Sequence, residues 1–368
     1  MSPSRCRIPH ESADFTPSVR ALPVAAGHGG PTGPDAPAHD AGGHVSDAPR
    51  ADAAPAAAPA AEAPGPRVSV VVATNRGGPY LAEAIASVHA QTSPAAELVV
   101  VDDGSPDPDA LRRLVDGVPA PAGAPRPRVV RRAPSGVSAA RNAGVRETTG
   151  DLLAFLDDDD RWHPDRLRRH VEAMAAQPDA VVSYCRMRTI DADGAELVAA
   201  DQRPAPDRRA VIRGPGVMLP NLVIRRATFD AVEGFDPAYR QGEDLDLVLA
   251  AAAHGPFAFV DDVLVDYRYH PSNTTRSYRH LATSIRTILR HHRAAALAAG
   301  RRDLVEAYDE RLRANDRFAW WSAGRAARAA WAERRASSAL GDAVWAVRFS
   351  PTAPVRVAAG RLRGARSR

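Results

Sequence analysis

The sequence predicts an α/β fold in which a mainly parallel sheet carries helices on both faces, followed by a helical C-terminal extension. Apolar runs rich in β-branched residues, such as VSVVVA and ELVVV, indicate buried strands. Segments with apolar residues at helical spacing alternate with these runs, and such alternation is typical of a parallel sheet covered by helices. After residue 279 the pattern becomes helical and is rich in alanine and arginine.

The predicted elements follow one another regularly in the first half of the chain. Strands are predicted at 68–73, 97–103, 128–132, 151–156 and 180–188, and helices at 80–91, 108–115, 138–150 and 164–177. The second half is more mixed, with strands at 220–226, 257–260 and 263–270 and a helix at 242–255. Residues 1–66 are rich in alanine and proline, cannot form a core, and are predicted to be a disordered tail. The predicted domains are therefore an α/β domain at 67–275 and a basic helical region at 276–368.

The composition excludes several classes of protein. All 48 basic residues are arginine, so a Walker P-loop and a pyridoxal phosphate enzyme, which both need a lysine, are excluded. The two cysteines, Cys6 and Cys185, form neither a disulfide framework nor a zinc site and suggest a reducing compartment. No apolar run approaches the ~20 residues that span a bilayer, and no signal peptide is apparent. A cytoplasmic protein is the expectation.

Charge is distributed unevenly along the chain. Residues 276–368 contain 20 arginines and 7 acidic residues, a formal +13, and since the whole chain carries +4 the remainder carries −9. This asymmetry suggests an anionic partner surface. The same region holds Trp320, Trp321, Trp331 and Trp345, which fit either the core of a helical unit or an interfacial helix on anionic lipid at the inner face of the membrane. No motif supports nucleic acid as the partner.

Two acidic clusters follow predicted strands directly. Asp102 and Asp103 end one strand, and the four aspartates 157–160 follow another. Two carboxylates about 4 Å apart repel by roughly 4 kcal/mol at an effective dielectric constant near 20. Water, arginines, a helix N-terminus or a metal ion could offset this repulsion. Because ligands bind beyond the carboxyl ends of parallel strands, both clusters are candidates for ligand contact.

Five motifs, in this order, resemble the family 2 glycosyltransferases. They are VSVVVATNRGGPYLAEAIASVHAQT, ELVVVDDGSPD, GVSAARNAGVRETTGDLLAFLDDDDRWHPDRL, LPNLVIRRATFDAVEGFDPAYRQGEDLDLVLAAAAHG and VDYRYHPSNTTR. The resemblance covers about residues 67–275 and implies the GT-A fold, a Rossmann-like arrangement, with inverting transfer from a nucleotide-sugar donor. It does not extend to the tail or to the C-terminal helices.

The resemblance also implies a metal site. Asp157, Asp158 and Asp159 match the D-x-D motif of the family, with Asp159 as the main ligand of Mg²⁺ or Mn²⁺ and Asp157 on the ribose or the metal. Asp158 is placed in the donor site, although a helix cap or a solvated turn also fits Asp158 and Asp160. His270 is assigned to the metal or the diphosphate, against the alternative of a structural histidine.

The remaining implied roles concern the donor and the base. Thr74 and Asp103 are expected near the nucleobase, although the strand end is one residue shorter than usual in the family and Ala73 is an alternative to Thr74. Arg141 is expected near the nucleobase and the diphosphate, or in an ion pair with the nearby aspartates. Asp103 also fits an Asx turn. Asp244, with Glu243 beside it, is the expected general base, against the alternative that both acids complement a helix dipole.

The function implied is transfer of a sugar from a nucleotide-sugar, with UDP as the expected nucleotide, to an acceptor hydroxyl. The acceptor is a glycan, a lipid-linked molecule or a small molecule. A catalytically inactive nucleotide-sugar-binding scaffold is one alternative. A sugar nucleotidyltransferase is another, but the glycine-rich loop and the phosphate-binding lysine of such enzymes are missing from this sequence.

Overall fold

The computed structural model describes residues 65–214, 216–270, 273 and 277–353. The predicted tail, apart from residues 65 and 66, and the end of the basic region, 354–368, lie outside the described residues. From Pro66 the chain forms one compact unit.

The first half alternates strands and helices as predicted. Its elements are β1 (Val68–Thr74), α1 (Leu81–His89), β2 (Glu97–Asp103), α2 (Pro108–Asp116), β3 (Arg128–Arg132), α3 (Val137–Arg146), β4 (Leu152–Asp157), β5 (Arg161–Trp162), α4 (Arg166–Ala176) and β6 (Val182–Ile190). The second half contains β7 (Glu196–Val198), α5 (Arg208–Arg213), a 3-10 turn (Leu219–Asn221), β8 (Leu222–Arg225), α6 (Arg226–Ala231), α7 (Glu243–Ala251) and β9 (Phe257–Arg268). Three helices follow: α8 (Tyr278–Ala298), α9 (Arg302–Ala332) and α10 (Ala336–Phe349).

The sheet is mixed in strand direction. Its order is β3-β2-β1-β4-β8-β6-β9-β5, with β7 paired to β6. Strands β1 to β4 are parallel, β8 is antiparallel to both of its neighbours, and β6 and β9 are parallel to each other. The predicted α/β class and the helical C-terminal part are confirmed. The parallel character is confined to the β3-β2-β1-β4 half and the β6–β9 pair, because β8 returns in the opposite direction between β4 and β6.

Strand β9 corrects a prediction. The separate strands at 257–260 and 263–270 are one strand of 12 residues. Asp261 and Asp262, the two residues between the predicted strands, lie within it, at a point where the pairing with β6 shifts its register. The irregular pairing absorbs the polar residues without ending the strand.

Helices cover both faces of the parallel half, and alternate residues of β1 enter the two cores. Val70 and Val72 pack with residues of α1, α2 and α4, whereas Val71 packs with residues of α3, α6 and α7. Helix α3 approaches the sheet closely at Gly144, where an added Cβ would lie 2.4 Å from Val71 Cγ1. This approach seats α3 against the parallel strands, with Arg141 less than one turn earlier on the same helix.

Helices α8 and α9 pack on the α/β domain, and α10 packs against α9. Ile288, Leu289 and Tyr308 share a buried cluster with Ile212 of α5 and Leu249 of α7, and His292 Nε2 on α8 lies 2.8 Å from Asp246 Oδ1 on α7. No helix within the described part of the chain is long and apolar enough to cross a membrane.

The tryptophans of this region differ in their burial and contacts. Trp320 Nε1 donates a hydrogen bond to the Ser350 carbonyl, 2.7 Å, and Trp345 packs edge-on against Tyr278. These two tryptophans help to hold the helices together. Trp321 and Trp331 instead lie at the surface, with Trp331 70% exposed.

Candidate active site

The parallel strands bring the predicted site residues to one edge of the sheet. Thr74, the last residue of β1, is paired with Asp102 of β2, and Ala73 is paired with Asp157, the last residue of β4. Because parallel strands end in the same direction, Asp102, Thr74 and Asp157 form a row across three neighbouring strand ends. The acidic clusters at 102–103 and 157–160 therefore share one edge.

Arg141 joins the acidic strand end to α7. This buried side chain donates to Asp157 Oδ1 at 2.5 Å and to Glu243 Oε1 at 2.7 Å. Burial alone would lower the pKa of Arg141, but the charges of Asp157 and Glu243 raise it above its ordinary value. The predicted ion pair with an aspartate is present, and the same guanidinium also fixes the start of α7 relative to β4.

Asp158 and Asp159 are held by residues from distant parts of the chain. Thr74 Oγ1 donates to Asp158 Oδ2 at 2.5 Å, and His270 Nε2 lies 2.9 Å from Asp159 Oδ2. Burial raises the pKa of Asp158, and it raises the pKa of Asp159 to about 6, with further contributions from the charges of Asp157 and Asp158. The cluster is therefore an environment in which additional positive charge is favourable.

Asp160 serves the structure of the loop. It is 1% exposed, and its Oδ1 accepts the backbone N–H of Arg268 at 2.8 Å, while its Oδ2 has no hydrogen-bond partner among the residues that the structure describes. Burial raises the pKa of Asp160 well above its ordinary value. Neither a helix cap nor a solvated turn, the two structural roles considered for it, describes this contact.

Arg268 is a residue that sequence reasoning missed. Its buried guanidinium donates to the carbonyls of Asp159 (3.0 Å) and Ala192 (2.8 Å) and to Glu83 Oε2 (2.7 Å), and it lies 4.3 Å from the centre of the Tyr80 ring. One side chain thus positions both the loop that contains Asp159 and the ring of Tyr80. The partners are separated from Arg268 by up to 185 positions in sequence, so no local motif indicates them.

A cavity of about 290 Å³ opens beside Asp158 and Asp159. Its remaining walls are formed by Arg76, Gly78, Pro79, Tyr80, Ala192 and His270. The Arg76 guanidinium lies 3.6 Å from Asp159 Oδ2 and 3.8 Å from Asp158 Oδ1, and it is 41% exposed. The combination of an accessible arginine, two carboxylates, an imidazole and an aromatic ring suits a phosphate-containing ligand that arrives with a cation.

Asp103 shapes the turn that precedes α3. Its carboxylate accepts hydrogen bonds from the N–H of Ser135 (3.1 Å) and of Gly136 (2.8 Å) and from the Ser135 hydroxyl (2.9 Å). The turn-forming role considered for Asp103 is performed by Asp102, which accepts the Ser105 N–H at 2.7 Å. The nucleobase role of Asp103 stays a prediction.

Asp244 begins α7 next to Glu243. The helix starts after Gly242, whose φ of 79° lies in the left-handed region that glycine adopts readily. Asp244 Oδ1 accepts the Leu245 N–H at 2.8 Å. Burial, reinforced by the charge of Glu243, raises the pKa of Asp244 to about 6. A helix N-terminus favours the charged form, so burial outweighs it here, and Asp244 is the better proton acceptor for that reason.

The carboxylates at the end of β4 could hold a divalent cation only together with a ligand. Among the residues that the structure describes, no three or more His, Cys, Asp or Glu side chains gather at metal-ligating spacing. Asp157 is engaged by Arg141, while Asp159 and His270 form a close pair. Mg²⁺ and similar ions are usually held by one or two carboxylates together with substrate phosphates and water. The residues fit a cation that is bound jointly with a diphosphate, and they do not fit an all-protein cage.

The family model described as Glycosyl transferase family 2 matches residues 69–217. An uncharacterized glycosyltransferase of Nostoc sp. is 32% identical over 222 residues, which cover 57% of this chain and 67% of that protein. The succinoglycan biosynthesis protein ExoO of Rhizobium meliloti is 34% identical over 219 residues, covering 56% of this chain and 61% of ExoO.

A solved structure shares the fold. The crystal structure of S. aureus TarS 1-349 in complex with UDP-GlcNAc superposes with a TM-score of 0.50 at 14% identity, covering 77% of this chain and 92% of that chain. The fold, with its mixed sheet and C-terminal helices, is that of the GT-A glycosyltransferases. The chain belongs to glycosyltransferase family 2 and is a glycosyltransferase. The resemblance seen in the sequence motifs is thereby confirmed.

Proposed function

We propose that this glycosyltransferase transfers a sugar from a UDP-sugar to an acceptor hydroxyl with inversion at the anomeric carbon. The observation that carries the proposal is the bridge made by Arg141, which ties the aspartate-rich end of β4 to the acidic start of α7. A donor diphosphate beside β4 and an acceptor hydroxyl beside α7 would then lie in one site. Such positioning accounts for much of the rate enhancement in group transfer.

The donor occupies the cavity beside Asp158 and Asp159 in this proposal. Thr74 and Asp103 lie at neighbouring strand ends and face the nucleoside, while Arg141 and Arg76 favour its phosphates by charge. UDP is the proposed nucleotide because TarS, which shares the fold, was crystallised with UDP-GlcNAc. Asp157 and Asp158 contact the ribose and the loop around it.

A divalent cation, Mg²⁺ or Mn²⁺, is proposed to bind with the donor. Asp159 is the proposed main ligand, with His270 beside it and Asp157 as a further oxygen donor after a change in its contact with Arg141. The raised pKa of Asp159, about 6, fits a carboxylate that gains stability from a nearby cation. When bound, the cation neutralises charge that develops on the leaving diphosphate.

Asp244 is the proposed general base. It accepts the proton of the acceptor hydroxyl while the new glycosidic bond forms and the bond from the anomeric carbon to the diphosphate oxygen breaks. A base works best when its pKa lies near the working pH, and the pKa of Asp244, about 6, leaves it largely ionised yet basic at neutral pH. Glu243, already bound to Arg141, supports this role by raising the basicity of its neighbour.

The proposed acceptor is a glycan or a lipid-linked glycan. ExoO is described as a succinoglycan biosynthesis protein, which favours a glycan or a lipid-linked glycan over an unrelated small molecule. The chain covers only part of ExoO, so this assignment rests on the shared domain alone.

Donor turnover tests the proposal. Nucleotide-sugars are first screened by thermal shift with and without Mn²⁺, since a bound ligand stabilises the folded state by mass action. The best donor is then assayed for release of the nucleoside diphosphate. The proposed enzyme releases it in a Mn²⁺-dependent manner, whereas the alternative of an inactive scaffold predicts binding without release. Release that is unaffected by chelation of metal would contradict the role given to the cation.

A further inference from the structure

Helix α10 exposes a continuous apolar stripe. Leu340, Val344 and Val347 occupy positions i, i+4 and i+7 and are 66%, 40% and 51% exposed. This spacing places them on one face of the helix. The opposite face, with Ala339 and Ala346 buried, packs against α9. The helix is thus apolar on both faces, although only one of them is covered by the described residues.

The exposed side of α10 has no acidic residue. Of its 14 residues two are charged, Asp342 and Arg348. Asp342 is buried and is held by the Tyr278 hydroxyl at 2.5 Å and by Arg279. Arg348 is exposed one turn after Val344. Single exposed apolar residues are normal on a protein surface, but a stripe of them flanked by basic charge indicates an interaction surface.

Exposed aromatic and basic residues precede α10 along the chain. Trp331, 70% exposed, lies in the last turn of α9, and three residues separate the end of α9 from the start of α10. Arg328 and Arg334 are also exposed. In sequence, residues 321–353 contain five arginines and two acids, and residues 354–368 add five arginines and no acid. The sequence on both sides of α10 therefore carries an excess of positive charge, which is complementary to negative charge.

We propose that α10 and the last turn of α9 form a docking face for an anionic lipid bilayer. The helix lies in the plane of the interface, with Leu340, Val344 and Val347 among the acyl chains, Trp331 at the headgroup boundary and the arginines on lipid phosphates. Helices of this composition bind by apolar burial together with electrostatic attraction.

The charge distribution favours a bilayer over a second copy of this chain. A two-fold contact places the same patch on both partners, so Arg348 and the flanking arginines of the two copies would be brought together. A bilayer bearing negative headgroups instead gains from each of them, by about fivefold in affinity for every arginine near the surface. This proposal is independent of the sugar, the metal and the catalytic base.

Vesicle co-sedimentation tests the docking face. The full chain is mixed with vesicles of phosphatidylcholine alone or with about one third phosphatidylglycerol, at low and at high salt. The expected result is binding to the anionic vesicles at least about tenfold stronger than to the neutral ones, and weaker at high salt. The paired variant Leu340→Glu with Val344→Glu is expected to lose about tenfold or more of that binding.

A matched control separates the stripe from general surface hydrophobicity. Leu297→Glu changes another exposed leucine, 57% exposed on α8, and is expected to bind vesicles as the parent does. Equal vesicle binding by the stripe variant and the parent would overturn the proposal. So would loss of binding on deletion of residues 354–368 when the stripe variant binds normally, because the segment alone would then be the anchor. A parent dimer that the stripe variant converts to a monomer, with vesicle binding unchanged, would assign the face to a second copy instead.

Discussion

Replacing Asp244 by asparagine should stabilise the protein at neutral and alkaline pH. The pKa of this carboxyl is raised from 3.8 to about 6, first by burial and then by the charge of Glu243. Each pKa unit corresponds to about 1.36 kcal/mol, so ionised Asp244 costs the folded state up to about 3 kcal/mol. Asparagine removes the charge and keeps an oxygen that accepts the Leu245 N–H.

The sign of the pH dependence follows from the raised pKa. A carboxyl whose pKa is higher in the folded state contributes stability that is complete below about pH 4 and is lost as the pH rises through about 6. The variant should therefore match the parent near pH 4 and exceed it by about 1–3 kcal/mol near pH 8. Asp159 and Asp160 also have raised pKa values, but they are present in both proteins and cancel in the difference.

Urea unfolding at three pH values measures this difference. Free energies of unfolding are compared for the parent, Asp244→Asn and the control Asp230→Asn, which changes an exposed carboxylate of α6. The control should change stability by less than about 0.5 kcal/mol at every pH. A difference between Asp244→Asn and the parent that does not depend on pH, or a variant that is less stable near pH 8, would refute the reasoning.

Three further predictions concern Asp159 in the aspartate loop, Arg268 beside the cavity, and the residues that precede Pro66. Asp159→Ala should abolish the Mn²⁺-dependent part of UDP affinity measured by calorimetry. The control Asp201→Ala, which changes an exposed carboxylate, should retain this dependence. Retained Mn²⁺ dependence in Asp159→Ala would contradict the metal site. Arg268→Lys keeps the charge but loses the guanidinium group that binds Asp159, Ala192 and Glu83. The KM for the donor should therefore rise by about tenfold, with a smaller change in kcat. An unchanged KM would show that Arg268 does not position the donor site. A chain that starts at Pro66 should melt at an unchanged temperature because the composition of the preceding residues forms no core, and a clear drop would show that they support the fold.

Local patterns predicted the elements well where neighbouring residues decide the structure. The β-branched run at 68–73 is β1, and the Gly-Glu-Asp sequence at 242–244 opens α7 as its composition suggested. Strand direction was not available from such patterns, so the reversal at β8 was missed. The continuity of β9 through Asp261 and Asp262 depends on its pairing with β6, which a local pattern does not show.

In the candidate site, too, some residues were found from local motifs, whereas others depend on contacts between distant parts of the chain. Its aspartates, Arg141 and His270 were found from motifs, and the structure adds that Arg141 holds Glu243, a residue 102 positions away. Arg76, Tyr80 and Arg268 lie within the quoted motif stretches, but their roles were missed, because these roles depend on contacts with residues far away in the sequence. Such residues are found only when the fold places them side by side.

The central claim, that Asp244 is the base of a sugar transfer, is tested most directly by a paired measurement on Asp244→Asn. Donor affinity is measured by calorimetry, and turnover is measured as release of nucleoside diphosphate with a working acceptor. Because a base acts in the transition state, donor affinity should stay within a few fold while turnover falls by about two orders of magnitude or more. Transfer by Asp244→Asn at close to the parent rate would contradict the assignment and make Glu243 the next candidate.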